Sequence, residues 1–210
     1  MLFQVVSVLG LLCLEPAFAQ SNPYGLYAGL GVGRSTIGNG FNVYDPYNFG
    51  VTPFAKSVLG WKALIGVRPI PWVGGELEYI DFGTTRAGSE PAAIFDGFNN
   101  GQFLGGRATD RAGAVFAVGY LPVRPGWPEL FGKVGWARLW GSYSYTSDSY
   151  LGTSYISQSA NSRGLAFGAG VQMHLGGLGV RAEYERVEGT QNYGPHEEPT
   201  LISASVFWSF

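Results

Sequence analysis

Hydrophobic and polar residues alternate along most of the last ten residues of the chain, 201–210. Serines occupy most of one face of this segment, which Phe207 interrupts. The opposite face consists of apolar side chains, namely Ile202, Ala204, Val206, Trp208 and Phe210. A period of two residues predicts a β-strand with one apolar and one polar face. Its length matches the roughly 9–11 residues that a tilted strand needs to cross a bilayer.

Seven more segments with a two-residue period precede this strand. They cover residues 24–34, 58–68, 72–82, 110–121, 130–140, 163–175 and 180–186. Long polar connections alternate with short turns: the long ones are 35–55, 84–109, 141–161 and 188–199, and the turns are 69–71, 122–128 and 176–177. This asymmetry is typical of bacterial transmembrane β-barrels. An open sheet edge in lipid leaves backbone groups unpaired, so the last strand is expected to pair with the first. The predicted fold is an all-β, eight-stranded antiparallel up-and-down barrel that spans a membrane.

The alternation also predicts which side chains face lipid and which face the barrel interior. In most segments an apolar face lies opposite a face of glycines and charges, and the apolar face is expected outward. The fourth segment is predicted to point these residues outward: Ala112, Ala114, Phe116, Val118 and Tyr120. It is predicted to point these inward: Arg111, Gly113, Ala117 and Gly119. The reverse arrangement, with an apolar interior and a charged exterior, would make a soluble secreted barrel that binds an apolar ligand.

Nine charged residues are predicted to face the interior. They are Lys62, Arg68, Glu76, Glu78, Arg111, Lys133, Arg181, Glu183 and Glu185. An eight-stranded barrel is just wide enough for its own side chains to fill it, so these charges must pair with one another or with trapped water. The network is therefore expected to plug the barrel. The alternative is a gate, in which ion pairs exchange partners and let small ions pass.

Four arginines continue the outward faces of their strands just beyond the apolar band. They are Arg34, Arg138, Arg163 and Arg186. Aromatic residues near the same level predict an interfacial girdle, formed by Tyr79, Trp136, Trp140 and Tyr184. A guanidinium group binds phosphate through two parallel hydrogen bonds. One hypothesis is that these arginines bind lipid A head groups of lipopolysaccharide; the alternative is that they are solvated charges on strands extending beyond the membrane.

Composition narrows the class of protein. The chain has 210 residues, enough for one domain, with 33 glycines, 15% aromatic residues and 13% charged residues. Ordinary domains carry about 25% charged residues, so more of this surface is predicted to avoid water. No uncharged apolar run of about 18 residues follows residue 20, which argues against a membrane-spanning helix there. The net charge of −2 argues against nucleic acid as a partner.

Residues 1–19 are predicted to be a secretory signal peptide, with an apolar core and a small-x-small cleavage site at Ala17-Phe-Ala19. No Lys or Arg precedes this apolar core, although signal peptides usually begin with positive charge. The alternative is that residues 1–19 form an N-terminal anchor helix. Residues 20–210 are then predicted to be the barrel domain. Cys13, the single cysteine, lies within the predicted leader. The mature barrel is therefore expected to depend on sheet closure rather than on disulfides.

Phe210, at the end of an alternating segment, resembles the close of the last strand in bacterial outer-membrane β-barrels. Residues 22–210 resemble the small OmpA-like and opacity-type eight-stranded barrels. The stretches that carry the resemblance are Tyr24-Gly-Leu-Tyr-Ala-Gly-Leu-Gly-Val-Gly33, Gly74-Gly-Glu-Leu-Glu-Tyr-Ile-Asp-Phe-Gly83, Gly164-Leu-Ala-Phe-Gly-Ala-Gly-Val-Gln172 and Gly179-Val-Arg-Ala-Glu-Tyr-Glu-Arg186. The resemblance implies a place in the bacterial outer membrane and contact with its lipid. It also implies insertion by the outer-membrane assembly machinery through the strand ending in Phe210, and loops that bind a host or environmental surface.

Candidate catalytic chemistry is sparse in this sequence. His174 falls on the predicted interior face of its strand, and no serine that could act with it as a nucleophile lies two residues further on. His196 is followed by two glutamates, which together make a weak candidate cation site. No nucleophile–base pair, metal signature or phosphate-binding loop stands out. The sequence therefore predicts a non-enzymatic protein without cofactor or metal, with a structural and adhesion-like surface-interaction role. The alternatives are a narrow channel for ions or small solutes and, less favoured, a lipid A-modifying enzyme.

Overall fold

The computed structural model of the chain describes residues 25–36, 57–87, 102–121, 127–149, 152–188 and 198–210. The strands are β1 (Gly25–Thr36), β2 (Ser57–Ile70), β3 (Val73–Ala87), β4 (Gln102–Leu121), β5 (Glu129–Ser149), β6 (Gly152–Leu175), β7 (Leu178–Val187) and β8 (Thr200–Ser209). None of the described residues belongs to a helix long and apolar enough to cross a membrane. The predicted leader at 1–19 and His196 lie outside the described residues, so what was inferred for them stays a prediction.

The eight strands form one closed barrel, in which each strand pairs antiparallel with its neighbours in sequence and β8 pairs with β1. This confirms the predicted fold class. At the seam, residues 200–209 of β8 pair with residues 27–36 of β1. The Phe210 N–H adds a bond of 2.8 Å to the Leu26 carbonyl oxygen at the turn end. Closure gives the backbone groups of β1 and β8 partners that lipid could not supply.

Strands β3, β4, β5 and β6 are longer than the sequence predicts, and β3 ends at Ala87 rather than at residue 82. β4 begins at Gln102 rather than at residue 110, and β5 and β6 remain paired up to Ser149 and Gly152. Most of the segment predicted as a loop at 141–161 is therefore a β-hairpin. Its threonines and tyrosines suit strands, and outside a membrane neither face of a strand needs to be apolar. Because β7 ends at Val187, the sheet of β4–β6 projects beyond the closed part of the barrel.

Apolar side chains cover the outside of the barrel, as predicted for β1–β3 and β5–β8. On β8, Ile202 and Trp208 are 63% and 55% exposed. Ser203 and Phe207, which lie between them in sequence, are buried in the interior. Further large apolar residues exposed on the outer face are Leu30, Leu59, Ile65, Leu77, Val134, Trp136 and Leu165. Such a belt would be unfavourable in water, whereas the hydrocarbon of a bilayer solvates it.

The predicted faces of β4 are wrong. Its buried, inward-facing residues are Ala112, Ala114, Phe116, Val118 and Tyr120. Val115, by contrast, is 58% exposed on the outside. The reason is the register with β3, in which Glu76 is paired with Phe116. Directly opposed residues share a face of a sheet, so the inward position of Glu76 requires the more apolar face of β4 to point inward as well.

A β-bulge at Gly83 shifts by one residue which side chains of β3 face inward. Two residues of β3 face the single residue Asp110 of β4 at this point. Gly83 has a φ of +90°, which glycine adopts without the strain that a side chain would cause. Its N–H donates to the Asp81 carboxylate at 2.8 Å. Beyond the bulge Thr85 points inward and Arg86 points outward.

The barrel interior is filled in two layers along its axis. The half near the long connections is mostly apolar. It contains Ile80, Phe82, Leu139, Val187 and Leu201, each at most 6% exposed, beside the buried polar residues Thr85 and Asp110. The half near the turns contains most of the buried charge. Glycines make room for aromatic rings in this narrow space. A Cβ atom on Gly66 would collide with the ring of Tyr27. One on Gly179 would collide with the ring of Phe207.

Candidate functional site

The buried charges form a connected cluster around Lys133. Its ammonium nitrogen lies 2.6 Å from Glu78 Oε1, 2.6 Å from Glu183 Oε1 and 2.7 Å from Glu185 Oε1. These four side chains are at most 1% exposed. The ring centre of Phe116 lies 4.4 Å from the same nitrogen. The cation is thus held by three carboxylates and an aromatic face, out of contact with bulk water.

Lys62 approaches the same three carboxylates from β2. Its ammonium nitrogen lies 2.9 Å from Glu185 Oε2 and 3.6 Å from Glu78 Oε1, and it donates a short hydrogen bond to Glu183. Oxygens of the three carboxylates lie within 4.8 Å of one another, a spacing that a metal ion could use. The ammonium groups of Lys62 and Lys133 already lie among these three carboxylates, so the geometry favours an ionic network over a metal centre.

Arg181 and Glu76 continue the cluster toward the turn end of the barrel. Arg181 Nη1 donates to Glu76 Oε1 at 2.7 Å. The Tyr27 hydroxyl donates to the same oxygen at 2.6 Å and lies 2.9 Å from the Tyr120 hydroxyl. The Arg181 guanidinium also lies 4.4 Å from the centre of the Phe131 ring. Four glutamates share three cations in this region, and the Tyr27 hydroxyl supplies an additional donor to Glu76.

A second ion pair closes the interior near the turns. Arg68 donates to both carboxylate oxygens of Glu129, at 2.8 and 2.6 Å, and to the Pro71 carbonyl oxygen. Gln172 Nε2 donates to the same carboxylate at 2.9 Å. The pair ties the β2–β3 turn to the first residue of β5. Glu129 lies one residue before the predicted fifth strand, although its alternation with Lys133 along the chain is a signal that places it on the interior face.

Eight of the nine predicted interior charges lie inside the barrel. They are Lys62, Arg68, Glu76, Glu78, Lys133, Arg181, Glu183 and Glu185. Arg111 lies on the outer face instead, with its side chain 53% exposed. Its Nε donates to the Asp81 carboxylate at 3.1 Å. The prediction for Arg111 was wrong because the faces of β4 are reversed.

Replacing Arg111 with glutamine is expected to change the free energy of unfolding by less than about 1 kcal/mol, because exposed ion pairs contribute little. Urea unfolding of the refolded barrel in lipid vesicles, followed by tryptophan fluorescence, would measure the change. A loss of about 3 kcal/mol or more would be typical of a buried network and would contradict the exterior position.

The four arginines predicted to bind lipopolysaccharide do not form one group. Arg138 and Arg163 are directly opposite each other on β5 and β6. Arg34, on β1, is hydrogen-bonded to a serine hydroxyl of β2. Arg186, on β7, forms an ion pair with Glu198. Of the four, the first two are the pair that concentrates positive charge at one place.

His174 packs inside the barrel near the turns. Its ring is edge-on to that of Phe207, with ring centres 5.2 Å apart. Its Nε2 lies 3.5 Å from Gln172 Nε2. These contacts are those of an interior aromatic residue, on the side of the strand that lipid does not reach.

Comparisons with known proteins agree with this architecture. A family model for the outer membrane protein β-barrel domain matches residues 5–210. The structure of outer membrane protein OprG from Pseudomonas aeruginosa is similar, with 10% identity, coverage of 89% of this chain and 97% of that one, and a TM-score of 0.52. A structure of Ail, the attachment invasion locus protein of Yersinia pestis, in complex with the heparin analogue sucrose octasulfate, has 15% identity, coverage of 89% and 99%, and a TM-score of 0.51. No curated protein matches, and at these identities the two structures show a shared fold alone.

Proposed function

The chain belongs to the outer membrane protein β-barrel domain family and lies in the bacterial outer membrane, and on this basis we propose that it is a sealed barrel with a structural role that displays an extracellular β-sheet. The observation that carries the proposal is the ionic cluster around Lys133. Its side chains are at most 1% exposed, so they fill the interior rather than line a water-filled passage. The protein therefore anchors and presents a surface, and does not conduct solutes in bulk.

Two successive obstacles support a sealed interior. An ion entering from the turn side would have to separate Lys133 from three carboxylates, and leaving a buried charge without its partner costs several kcal/mol. An ion that passed this cluster would meet the apolar layer, where Ile80 and Phe82 have no exposed surface. Neither side chain offers a hydrogen bond to a hydrated ion, so desolvation is not compensated.

Planar lipid bilayers would test the seal. Wild-type protein is expected to give little or no current, because the cluster and the apolar layer both obstruct the axis. The double variant Lys133→Ala/Glu183→Ala, which removes one cation and one anion together, is expected to keep the current small, because the apolar layer of Ile80 and Phe82 still obstructs the axis. Heat-modifiable migration on a gel would verify that both proteins are folded. A large, stable, ohmic pore formed by the wild type would reject the proposal.

A narrow channel for ions or small solutes is the second candidate, and one observation favours it. The carboxylates of Glu78, Glu183 and Glu185 are shared between Lys62 and Lys133. Exchange of partners within such a network could open a transient path without stripping either lysine of all its contacts. Brief, small current steps that change in frequency in a Lys62→Arg variant would support this candidate over the sealed barrel.

The surface-interaction part of the proposal is supported by the projecting sheet of β4–β6. On its outward face Tyr155 is 70% exposed, beside the exposed hydroxyl side chains of Ser157 and Ser159. Tyrosine and serine provide contact area and adaptable hydrogen bonds at a low cost in conformational entropy. The Ail structure contains a heparin analogue, and we propose that this sheet likewise meets a ligand of a host or environmental surface.

We also propose that β8 is the segment that the outer-membrane assembly machinery recognises. The side chain of Phe210 is 65% exposed on the outer face, where a partner could reach it. We propose no enzymatic role, lipid A modification included, because the half-buried His174 faces the barrel interior, away from lipid.

A further inference from the structure

The outward face of β3–β6 carries a group of arginines, here called the arginine patch. Its members are Arg86, Arg107, Arg111, Arg138 and Arg163, all exposed. Arg138 and Arg163 were predicted from the sequence to face outward, whereas Arg111 was predicted to face the interior. Arg86, Arg107 and Arg111 join them because the bulge in β3 and the register of β4 place their side chains outside.

The sheet register sets four members of the patch against each other in pairs. Arg138 is directly opposite Arg163 on β5 and β6. Arg86 is directly opposite Arg107 on β3 and β4. Opposed residues of an antiparallel pair have Cβ atoms about 4.5–5.5 Å apart, and like charges placed there destabilise the sheet. A bound anion between the guanidinium groups would offset that cost.

Arg111 links the two pairs. Arg111 lies on β4, two residues before Gly113, which is directly opposite Arg138. It is four residues after Arg107 on the same face of the strand. Among the outward side chains that the structure describes on β3–β6, Asp81 is the one carboxylate, and it accepts a hydrogen bond from Arg111 at 3.1 Å. Five guanidinium groups therefore face one carboxylate, and the patch has a strong excess of positive charge.

The position of the patch along the outer face of the barrel indicates that the anion is a lipid phosphate. Arg138 lies between Trp136 and Trp140 on the outward face of β5, with its guanidinium 5.6 Å from the Trp140 ring centre. Exposed tryptophans mark the level where hydrocarbon meets the head groups in membrane barrels. The lower members of the patch are therefore at the level of lipid phosphates. The pair of Arg86 and Arg107 lies further along the strands, away from the apolar belt.

We propose that the arginine patch binds the phosphorylated head group of lipopolysaccharide in the outer leaflet. Arg138, Arg163 and Arg111 contact the phosphates nearest the hydrocarbon, and the upper pair contacts anionic groups further out. Guanidinium groups suit this role because they hold phosphate oxygens through paired hydrogen bonds. The site occupies one side of the barrel, on β3–β6, whereas Arg34 lies on β1 and Arg186 on β7. This inference rests on the outer-membrane location and not on the sealed interior.

Binding of fluorescent lipopolysaccharide to the refolded protein in detergent would test the patch. The double variant Arg138→Gln/Arg163→Gln is expected to raise the Kd at least tenfold. Arg86→Gln/Arg107→Gln, in the part of the sheet beyond the closed barrel, is expected to raise it at least threefold. The matched control, Arg34→Gln/Arg186→Gln, removes the same charge and is expected to stay within twofold of the wild type. Heat-modifiable migration would verify the fold of each variant.

Wild-type affinity in both patch variants would overturn the proposal, as would an equal loss in the control. Phosphatidylglycerol vesicles and sucrose octasulfate serve as alternative probes. Equal binding of phosphatidylglycerol would show a general attraction to anionic lipid, and tighter binding of sucrose octasulfate would show a site for a soluble polyanion; either result would contradict a lipopolysaccharide site. The patch variants should leave bilayer conductance unchanged, so failure here and failure of the sealed-barrel proposal are distinguishable.

Discussion

Replacing Lys133 with methionine is expected to destabilise the folded barrel by about 3–5 kcal/mol. Methionine has a similar length but no charge, so it leaves the carboxylates of Glu78, Glu183 and Glu185 with one ammonium group fewer. At most 1% of each of these side chains is exposed, so water cannot compensate. Urea unfolding in lipid vesicles, compared with wild type, would measure the loss. The Arg111→Gln variant provides the exposed reference.

A compensating change separates charge imbalance from lost packing. In Lys133→Met/Glu183→Gln one cation and one anion are removed together, and at least half of the lost stability is expected to return, because replacing both partners of a buried pair costs much less than replacing one. A Lys133→Met variant as stable as the wild type would show that the cluster is not buried in the membrane-embedded protein. A loss that the second change does not reduce would assign the effect to packing.

Replacing Val206 with arginine is expected to cost about 2–4 kcal/mol, because an arginine on the lipid face near the bilayer midplane is poorly solvated. Val206 lies on the outer face of β8, where its neighbours across the sheet are Leu30 and Val180. Reversible unfolding from lipid vesicles would measure this cost. The cost of an arginine depends on its depth in the bilayer, so a second position on β8 provides a test.

Ile202 provides the matched control for Val206. It lies on the same face of β8, opposite Tyr184 at the level of the aromatic girdle. Ile202→Arg is expected to cost about 0–1 kcal/mol, since a side chain near the interface reaches water and head groups. Equal costs at the two positions would contradict the depth assigned to β8, and a negligible cost at Val206 would argue that this face does not contact hydrocarbon.

The two-residue period was enough to predict the barrel, because a strand in lipid has few other ways to satisfy its backbone. It could not predict every face. On β4 both faces are apolar over much of their length, and the more hydrophobic one was expected outward. A narrow barrel also needs large apolar side chains inside, and Phe116 and Tyr120 meet that need beside Lys133 and Arg68.

Strand ends and side-chain partners also escaped prediction, for a common reason. The hairpin beyond residue 141 has a polar composition that is also typical of loops, and only pairing with its neighbours shows it to be sheet. The alternation along each strand predicts which charges face the interior, but their partners depend on how neighbouring strands are shifted relative to one another. The opposed arginines Arg86 and Arg107 likewise become neighbours only through the register after the bulge.

The orientation of β4 allows the most direct test of a charged interior within an apolar exterior. Val115 and Val118 lie on this strand, one 58% exposed outside and the other 1% exposed inside. In a methyl-labelled sample in micelles, nuclear Overhauser effects to detergent acyl chains are expected for the Val115 methyl groups and not for those of Val118. Contacts from Val118 to the acyl chains, with none from Val115, would contradict the orientation on which the ionic interior depends.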